Sequence, residues 1–285
     1  MATVNVTVGE IQLGTGTSYT LEDVVVPRRS VFDDDFQDEQ TSILHLGRDL
    51  VASPEVDLHI GVSRTSSAEE TFNLVRRLRS EWEKYRTSET AMTLNIANRR
   101  VVAFGRPRGF EIGDLHSGIH FRYLRVRATF QMSSPWFYGA ERKVSAVSHK
   151  PNVKFGFVFP AEFPLVMQGS AADAAKGGTL QVKGEVPSPV RIRVYGPVKD
   201  PVVTIGKVRV PFTGVVPSPW IEVDSRARTV KTYDGRPAHM LLGAGVRFSD
   251  LLLPPGDYPV LISVGDGNSD IGSVDVWTRD AYATI

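Results

Sequence analysis

Few residues have the type and spacing to do chemistry. His116 and His120 stand four apart, which on a helix would turn two imidazoles to one metal. Ser117-Gly118-Ile119 between them leads into an extended run, so that geometry is absent, and Asp114, the nearest carboxylate, fits no metal-motif spacing. Asp33-Asp34-Asp35 has no glycine turn and no following ligand at loop spacing. Asp266 to Gly272 offers side-chain oxygens at alternate positions, as a calcium loop does. It has Ile271 where that loop needs glycine and Trp277 where it needs a bidentate acid, so a hairpin loop is expected. Gly14-Thr15-Gly16 precedes no helix and reads as a turn, not a phosphate cradle. No G-x-S-x-G elbow anchors a serine triad. Carboxylate pairs for glycoside hydrolysis are made in space and leave no trace here. We therefore assign no catalytic, cofactor-binding or metal-ligating residue and no cofactor, and expect no enzyme.

Composition narrows the classes further. With 0 cysteines among 285 residues, disulfide scaffolds, thiol nucleophiles and thiolate metal sites are excluded together. A net charge of +1 argues against a broad or sequence-specific nucleic-acid surface. No apolar run approaches a membrane span, and the start lacks a charged-then-apolar signal pattern. Synthesis in a cytoplasm without sorting to a membrane is the expectation. The 25 glycines and 18 prolines punctuate short β-branched runs, which is how turns separate strands.

The elements follow from periodicity. Val4, Val6 and Val8 alternate with polar residues, and Tyr19 to Val26 forms a second extended piece. Arg28 to Thr41 is polar and acidic, a solvated loop in its plainest reading and an arm reaching a neighbouring subunit in its sharper one. Glu55 to Val62 alternates, with His59 on its polar face. One helix is expected at about 67–85. Ser66 or Ser67 serves as N-cap, Glu69 and Glu70 as capping-box partners, and Leu74, Val75, Leu78, Trp82 and Tyr85 as its apolar stripe. Ala91 to Ile96 and Arg100 to Phe104 are strands, and Gly105 to Gly109 a bend. Ile119 to Gln131 is a long strand with Leu124, Val126, Ala128 and Phe130 on one face and Tyr123, Arg125, Arg127 and Thr129 on the other. Arg125 and Arg127 form a solvated face, line a channel, or pair with acids of the next subunit. His149 to Asn152 reads as a linker, and Lys154 to Phe163 as aromatic-rich and extended. From Leu180 onward short strands separated by glycine, proline and aspartate point to an antiparallel sandwich. The expected class is mainly β, with an α+β first domain at 1–150 and a sandwich at 151–285.

Several strings carry a family resemblance. The long strand runs into Ser134-Pro135-Trp136-Phe137-Tyr138-Gly139 ahead of an all-β half. This resembles the distal tail proteins of siphophages, in which an aromatic exit closes the first domain. Pro189 to Gly196 followed by Asp200 to Ile205 is similar to the opening of that family's second domain. Trp220 to Asp224 with Thr229 to Gly235 is similar to its strand pair, and Leu253 to Asp257 to its late Pro-Gly turn. Tyr258 departs from the asparagine frequent there. The resemblance implies an N-terminal split β-barrel with one packed helix and a C-terminal galectin-like antiparallel β-sandwich. It implies a structural virion protein of the phage tail tip or baseplate. Its ring, a homo-hexamer, would join the tail tube protein to hub and receptor-binding proteins and make a weak glycan contact at the host surface. The other reading is a carbohydrate-binding sandwich adhesin without a ring; Trp220 and Trp277 are present, but no polar row like the galectin sugar face is read on a strand.

Overall fold

The structure is a computed structural model, and it describes residues 4–26, 31–32, 36–37, 44–45, 50–51, 54–63, 67–97, 99–113, 122–148, 177–264 and 272–284. His116, His120, Asp114, the linker at 149–152, the run at 154–163 and the loop from Asp266 to Ile271 lie outside the described residues. The chain forms two compact units: Met1–Ala140 with Tyr282–Ile285, and Glu141–Ala281.

The first unit holds β1 (Val4–Val8), β2 (Ile11–Leu13), β3 (Tyr19–Val25), β4 (Val31–Phe32), β5 (Phe36–Gln37), β6 (Leu44–His45), β7 (Leu50–Val51) and β8 (Glu55–Val62). Helix α1 (Ala68–Lys84), β9 (Thr90–Ile96), β10 (Arg99–Ile112), β11 (Leu124–Met132) and the start of β12 (Phe137–Val147) follow. Antiparallel pairing runs β2-β1-β9-β10-β11-β8-β3. The two ends meet where Gly14 N–H donates to the Tyr19 carbonyl at 2.8 Å. No ladder joins β2 to β3, so the sheet curls toward a barrel that stays split at this seam. Alternation decides the inside: Val56, Leu58, Ile60 and Val62 on β8, and Leu124, Val126, Ala128 and Phe130 on β11, are buried. Helix α1 starts where the Ser67 hydroxyl accepts from Glu70 N–H at 3.2 Å, and Ser67 is the N-cap. It buries Val75, Leu78 and Trp82 of the expected stripe against the strands, with Leu74 and Tyr85 only half-buried and Thr71, which the apolar period does not single out, buried in addition.

Three expectations change. Gly105 to Gly109 is no bend: β10 runs through it, and the extra length is absorbed as a register shift between Pro107 and Phe110. Gly105 is needed because a Cβ there would lie 2.1 Å from the Gln131 carbonyl oxygen of β11. The strand expected from Ile119 starts at Leu124, since Arg122 holds φ 54° and breaks extension before Tyr123. The acidic stretch is not wholly loop: Val31 pairs with Val51 and Phe32 with Leu50, while Phe36 pairs with His45 and Gln37 with Leu44. The two ladders nest, β5 and β6 lying within β4 and β7 along the chain, and neither joins the main sheet.

The second unit takes the rest of β12 from Glu141. It adds β13 (Gly178–Val182), β14 (Ser188–Tyr195), β15 (Val198–Lys199), β16 (Val202–Ile205), β17 (Val208–Pro211), β18 (Val215–Val216), β19 (Trp220–Asp224), β20 (Thr229–Thr232), β21 (Leu252–Leu253), β22 (Gly256–Ser263) and β23 (Ser273–Tyr282). One sheet runs β12-β23-β14-β19-β20 and the other β13-β22-β16-β17. Val190, Ile192, Val194, Ile221, Val223, Val274 and Val276 from the first interleave with Leu180, Val203, Ile205, Val260 and Ile262 from the second in one core. Each fully buried aliphatic side chain contributes about 1.5–3 kcal/mol. This is a two-sheet antiparallel sandwich.

Candidate functional site

The period of two that buries the valines and isoleucines of the sandwich turns their neighbours outward on the same strands. Arg191, Arg193 and Tyr195 alternate with Val190, Ile192 and Val194 on β14. Register then builds rows across the sheet. Tyr195 stands opposite Trp220 and Ser273, Arg193 opposite Glu222 and Asp275, and Arg191 opposite Asp224 and Trp277. Such direct pairs bring side chains into contact.

The rows interlock. The Arg193 guanidinium lies 4.1 Å from the Trp220 ring centroid and 5.1 Å from that of Trp277. Arg191 lies 4.6 Å from the Trp277 centroid and the Lys143 ammonium 5.4 Å. Aromatic faces carry negative potential, so alternating rings and cations attract. Arg193 also donates to Glu222 Oε2 from Nε at 3.2 Å and from its terminal nitrogen at 2.7 Å. Glu141 takes Arg191 at 3.0 Å and Arg279 at 3.5 Å.

Asp275 is the hub. Although only 7% exposed, it accepts from Ser145 Oγ at 2.6 Å and Tyr195 OH at 2.7 Å, and pairs with Lys143 Nζ at 2.8 Å. Burial opposes its charge, but the Lys143, Ser145 and Tyr195 hydrogen bonds outweigh burial and hold its carboxyl below the usual carboxylate range. The Tyr195 hydroxyl is raised, by burial first and by Asp275 second.

In the first unit, the outward face of β8 and β11 forms a second polar network. Arg127 donates to Asp57 Oδ2 at 2.6 Å and Thr129 to Oδ1 at 3.0 Å. The Arg127 hydrogen bond is the chief reason that the Asp57 carboxyl is lowered. Arg125 pairs with Glu22 at 3.5 Å. Both arginines considered as partners for a neighbour's acids therefore find carboxylates in their own chain. Among the described residues no group of three His, Asp or Glu side chains is placed to hold a metal.

No protein-family model and no curated protein sequence matches the chain. Solved structures do. The distal tail protein (Dit, gp 19.1) of phage SPP1, described as a hub adsorption apparatus of phages infecting Gram-positive hosts, matches with a TM-score of 0.63 at 11% identity, over 98% of each chain. The chain has the fold of the siphophage distal tail proteins. A component of the phage p2 baseplate in its activated, calcium-bound form matches with a TM-score of 0.59 at 10% identity over 100% of each chain. The strontium-bound form matches with a TM-score of 0.55 at 10% identity over 97% of this chain and 98% of that one.

Within this distal tail fold the aromatic exit is built as expected: Phe137 and Tyr138 are 3% exposed and open β12. Trp220 and Trp277 face outward beside the arginines. A polar row of another kind than the galectin sugar face, unforeseen from the sequence, runs through Arg191, Arg193 and Tyr195 with Glu222 and Asp275. The signal was present as Arg-Ile-Arg-Val-Tyr on β14, where every second residue is polar or aromatic. What was missing was the register that sets Glu222 and Asp275 on either side.

Proposed function

We propose that this protein is a structural component of a phage tail tip. It forms a ring, a homo-hexamer, that joins the tail tube to hub and receptor-binding proteins. The barrel unit makes the ring, with the nested ladders between Val31 and Val51 as the arm that reaches a neighbouring copy. The sandwich unit serves as the docking half, and the role is assembly without catalysis. The observation that carries this reading is end-to-end correspondence with the SPP1 hub protein, both units included and 98% of each chain covered. The arm adds support: it pairs with itself instead of the barrel sheet, and a hairpin that leaves its own sheet has its hydrogen-bonding edges available to another chain.

Mass measurement in solution and negative-stain imaging test the reading. Six-fold rings, and a mass that falls on dilution toward one chain, are expected. A strict monomer at high concentration overturns it.

The second reading, a carbohydrate-binding sandwich, is favoured by the aromatic and charged outer face centred on Trp220. Unlike ring formation, it needs only the second unit.

A further inference from the structure

Arg125 and Arg127 are paired within their own chain, so acids reaching over from another copy need other cations. Helix α1 offers two. Arg76 and Arg79 are exposed, and neither has an ion-pair partner among the described residues. Both line a cavity of about 480 Å³ beside the end of β10, within the range of about 300–1,000 Å³ that receives ligands. Its apolar walls are Phe72, Val75 and Ile112. Val75 belongs to the barrel core and Ile112 packs against it, so the floor is firm. Phe72, Arg76, Arg79 and Glu83 follow one another at spacings of four, three and four, which makes them a single stripe along the helix. Phe72 is 40% exposed, an aromatic ring left open on a charged stripe. Glu83, the carboxylate of the lining, is taken by Arg86 at 3.2 Å. The groove therefore presents an apolar floor under two uncompensated guanidinium groups.

We propose that this groove on α1 receives the acidic arm segment, Val31 to Glu39, of a second copy of the chain. The segment reads Val-Phe-Asp-Asp-Asp-Phe-Gln-Asp-Glu, with two phenylalanines bracketing three carboxylates and two more acids after them. Its rings suit the floor beside Phe72, and its carboxylates suit the planar forks of Arg76 and Arg79. Other occupants match only half of the groove. An apolar segment would leave the guanidinium groups covered and unpaired, and a phosphate chain would leave the apolar floor uncovered. Charge at the exposed rim steers the encounter, and burial of the floor holds it. The ladders that carry Phe32 and Phe36 join no strand of their own barrel sheet. Arm into groove is a contact between two different patches, each copy giving one and receiving one, and such contacts close into a ring when the rotation allows. The inference deepens the ring reading and rests on it for the contact between copies.

The chain contains no cysteine, so introduced cysteines report contacts cleanly. Full-length Phe72→Cys and Phe36→Cys chains are mixed and treated with a short bismaleimide. A two-chain product that requires both variants is expected. A product formed as well by either variant alone overturns the proposal, as does a chain carrying both substitutions that closes on itself in place of joining a neighbour. Light scattering then follows ring assembly. Arg76→Glu with Arg79→Glu is expected to raise the concentration needed for rings about tenfold, and Asp34→Lys with Asp35→Lys in the same chain to restore it. Both arginines are exposed, so the variant folds, and Arg209→Glu in the second unit is expected to change nothing. Assembly that ignores the first reversal, or a loss that the second does not repair, overturns the proposal. A labelled peptide of residues 29–41 separates the groove from the ring. It is expected to bind the full chain with a dissociation constant of about 0.1 mM, and about tenfold more weakly after Arg76→Glu with Arg79→Glu. Rings without peptide binding overturn the groove and leave the ring. Peptide binding to a chain that stays monomeric overturns the ring and leaves the groove matched to this segment.

Discussion

The guanidinium of Arg193 lies 4.1 Å from the centre of the Trp220 ring. The two residues sit on neighbouring strands, one row apart in register, since Trp220 faces Tyr195 and Arg193 faces Glu222. The contact is therefore diagonal, and it ties the aromatic row of the sandwich face to its charged row.

Arg193→Lys tests that tie. Lysine keeps the charge but loses the planar fork that grips Glu222 while stacking on the ring. A cation–π contact near the surface contributes about 0.5–1 kcal/mol and a hydrogen bond to a charged group about 1.5–3. The expected loss is about 1–2 kcal/mol in urea unfolding of the second unit's transition, discounted because the arginine keeps partial solvent access. An unchanged midpoint would show that the ladder is ornamental to stability.

Asp275 makes stability depend on pH. Its folded carboxyl is held below the unfolded value, so the native state favours the charged form. The contribution is fully present above the unfolded value of about 3.9 and is lost as pH falls through the lower folded one. Asp275→Asn is expected to be less stable than the parent at neutral pH, with the gap closing in acid. Denaturant midpoints taken between about pH 2 and pH 7 check this; a gap that stays constant or widens in acid removes Asp275 as its source.

Trp82 fastens α1 to the barrel, being 1% exposed and in the first unit's core with Val75 and Leu78. Trp82→Ala leaves a cavity that the barrel strands cannot close, and costs about 3–5 kcal/mol. Ser67→Ala removes only the cap bond to Glu70 N–H and costs about 1 kcal/mol. Thermal unfolding that ranks the two in the opposite order contradicts this account of the helix.

The ladders proposed as the arm join no strand of the barrel sheet. Val25 pairs with Asp57 across β3 and β8, so the chain ends flanking the arm lie side by side. Replacing residues 27–53 by a short Gly-Ser linker is expected to keep the barrel folded by circular dichroism and to abolish ring assembly. Rings that persist without the arm would transfer assembly to another surface.

Sequence alone determined the elements whose signals are local. The alternation in Glu55 to Val62 and in Leu124 to Phe130, and the capped 3.6-residue stripe from Ser67 to Trp82, need no distant partner to be read, because side-chain direction is set by each residue's own backbone. The order of these elements, with the aromatic exit at Pro135 to Gly139, already resembled the distal tail proteins. Tertiary structure decided everything that depends on register. Whether Gly105 to Gly109 bends or bulges is settled by β11 pairing along its length. Arg125 and Arg127 meet Glu22 and Asp57 only because β3, β8 and β11 lie side by side. Arg193 finds Trp220, Glu222, Asp275 and Trp277 only when β14 is placed between β19 and β23. Those partners lie dozens of residues away along the chain, and a strand's neighbours are chosen by the fit of whole sheets, which no local pattern encodes.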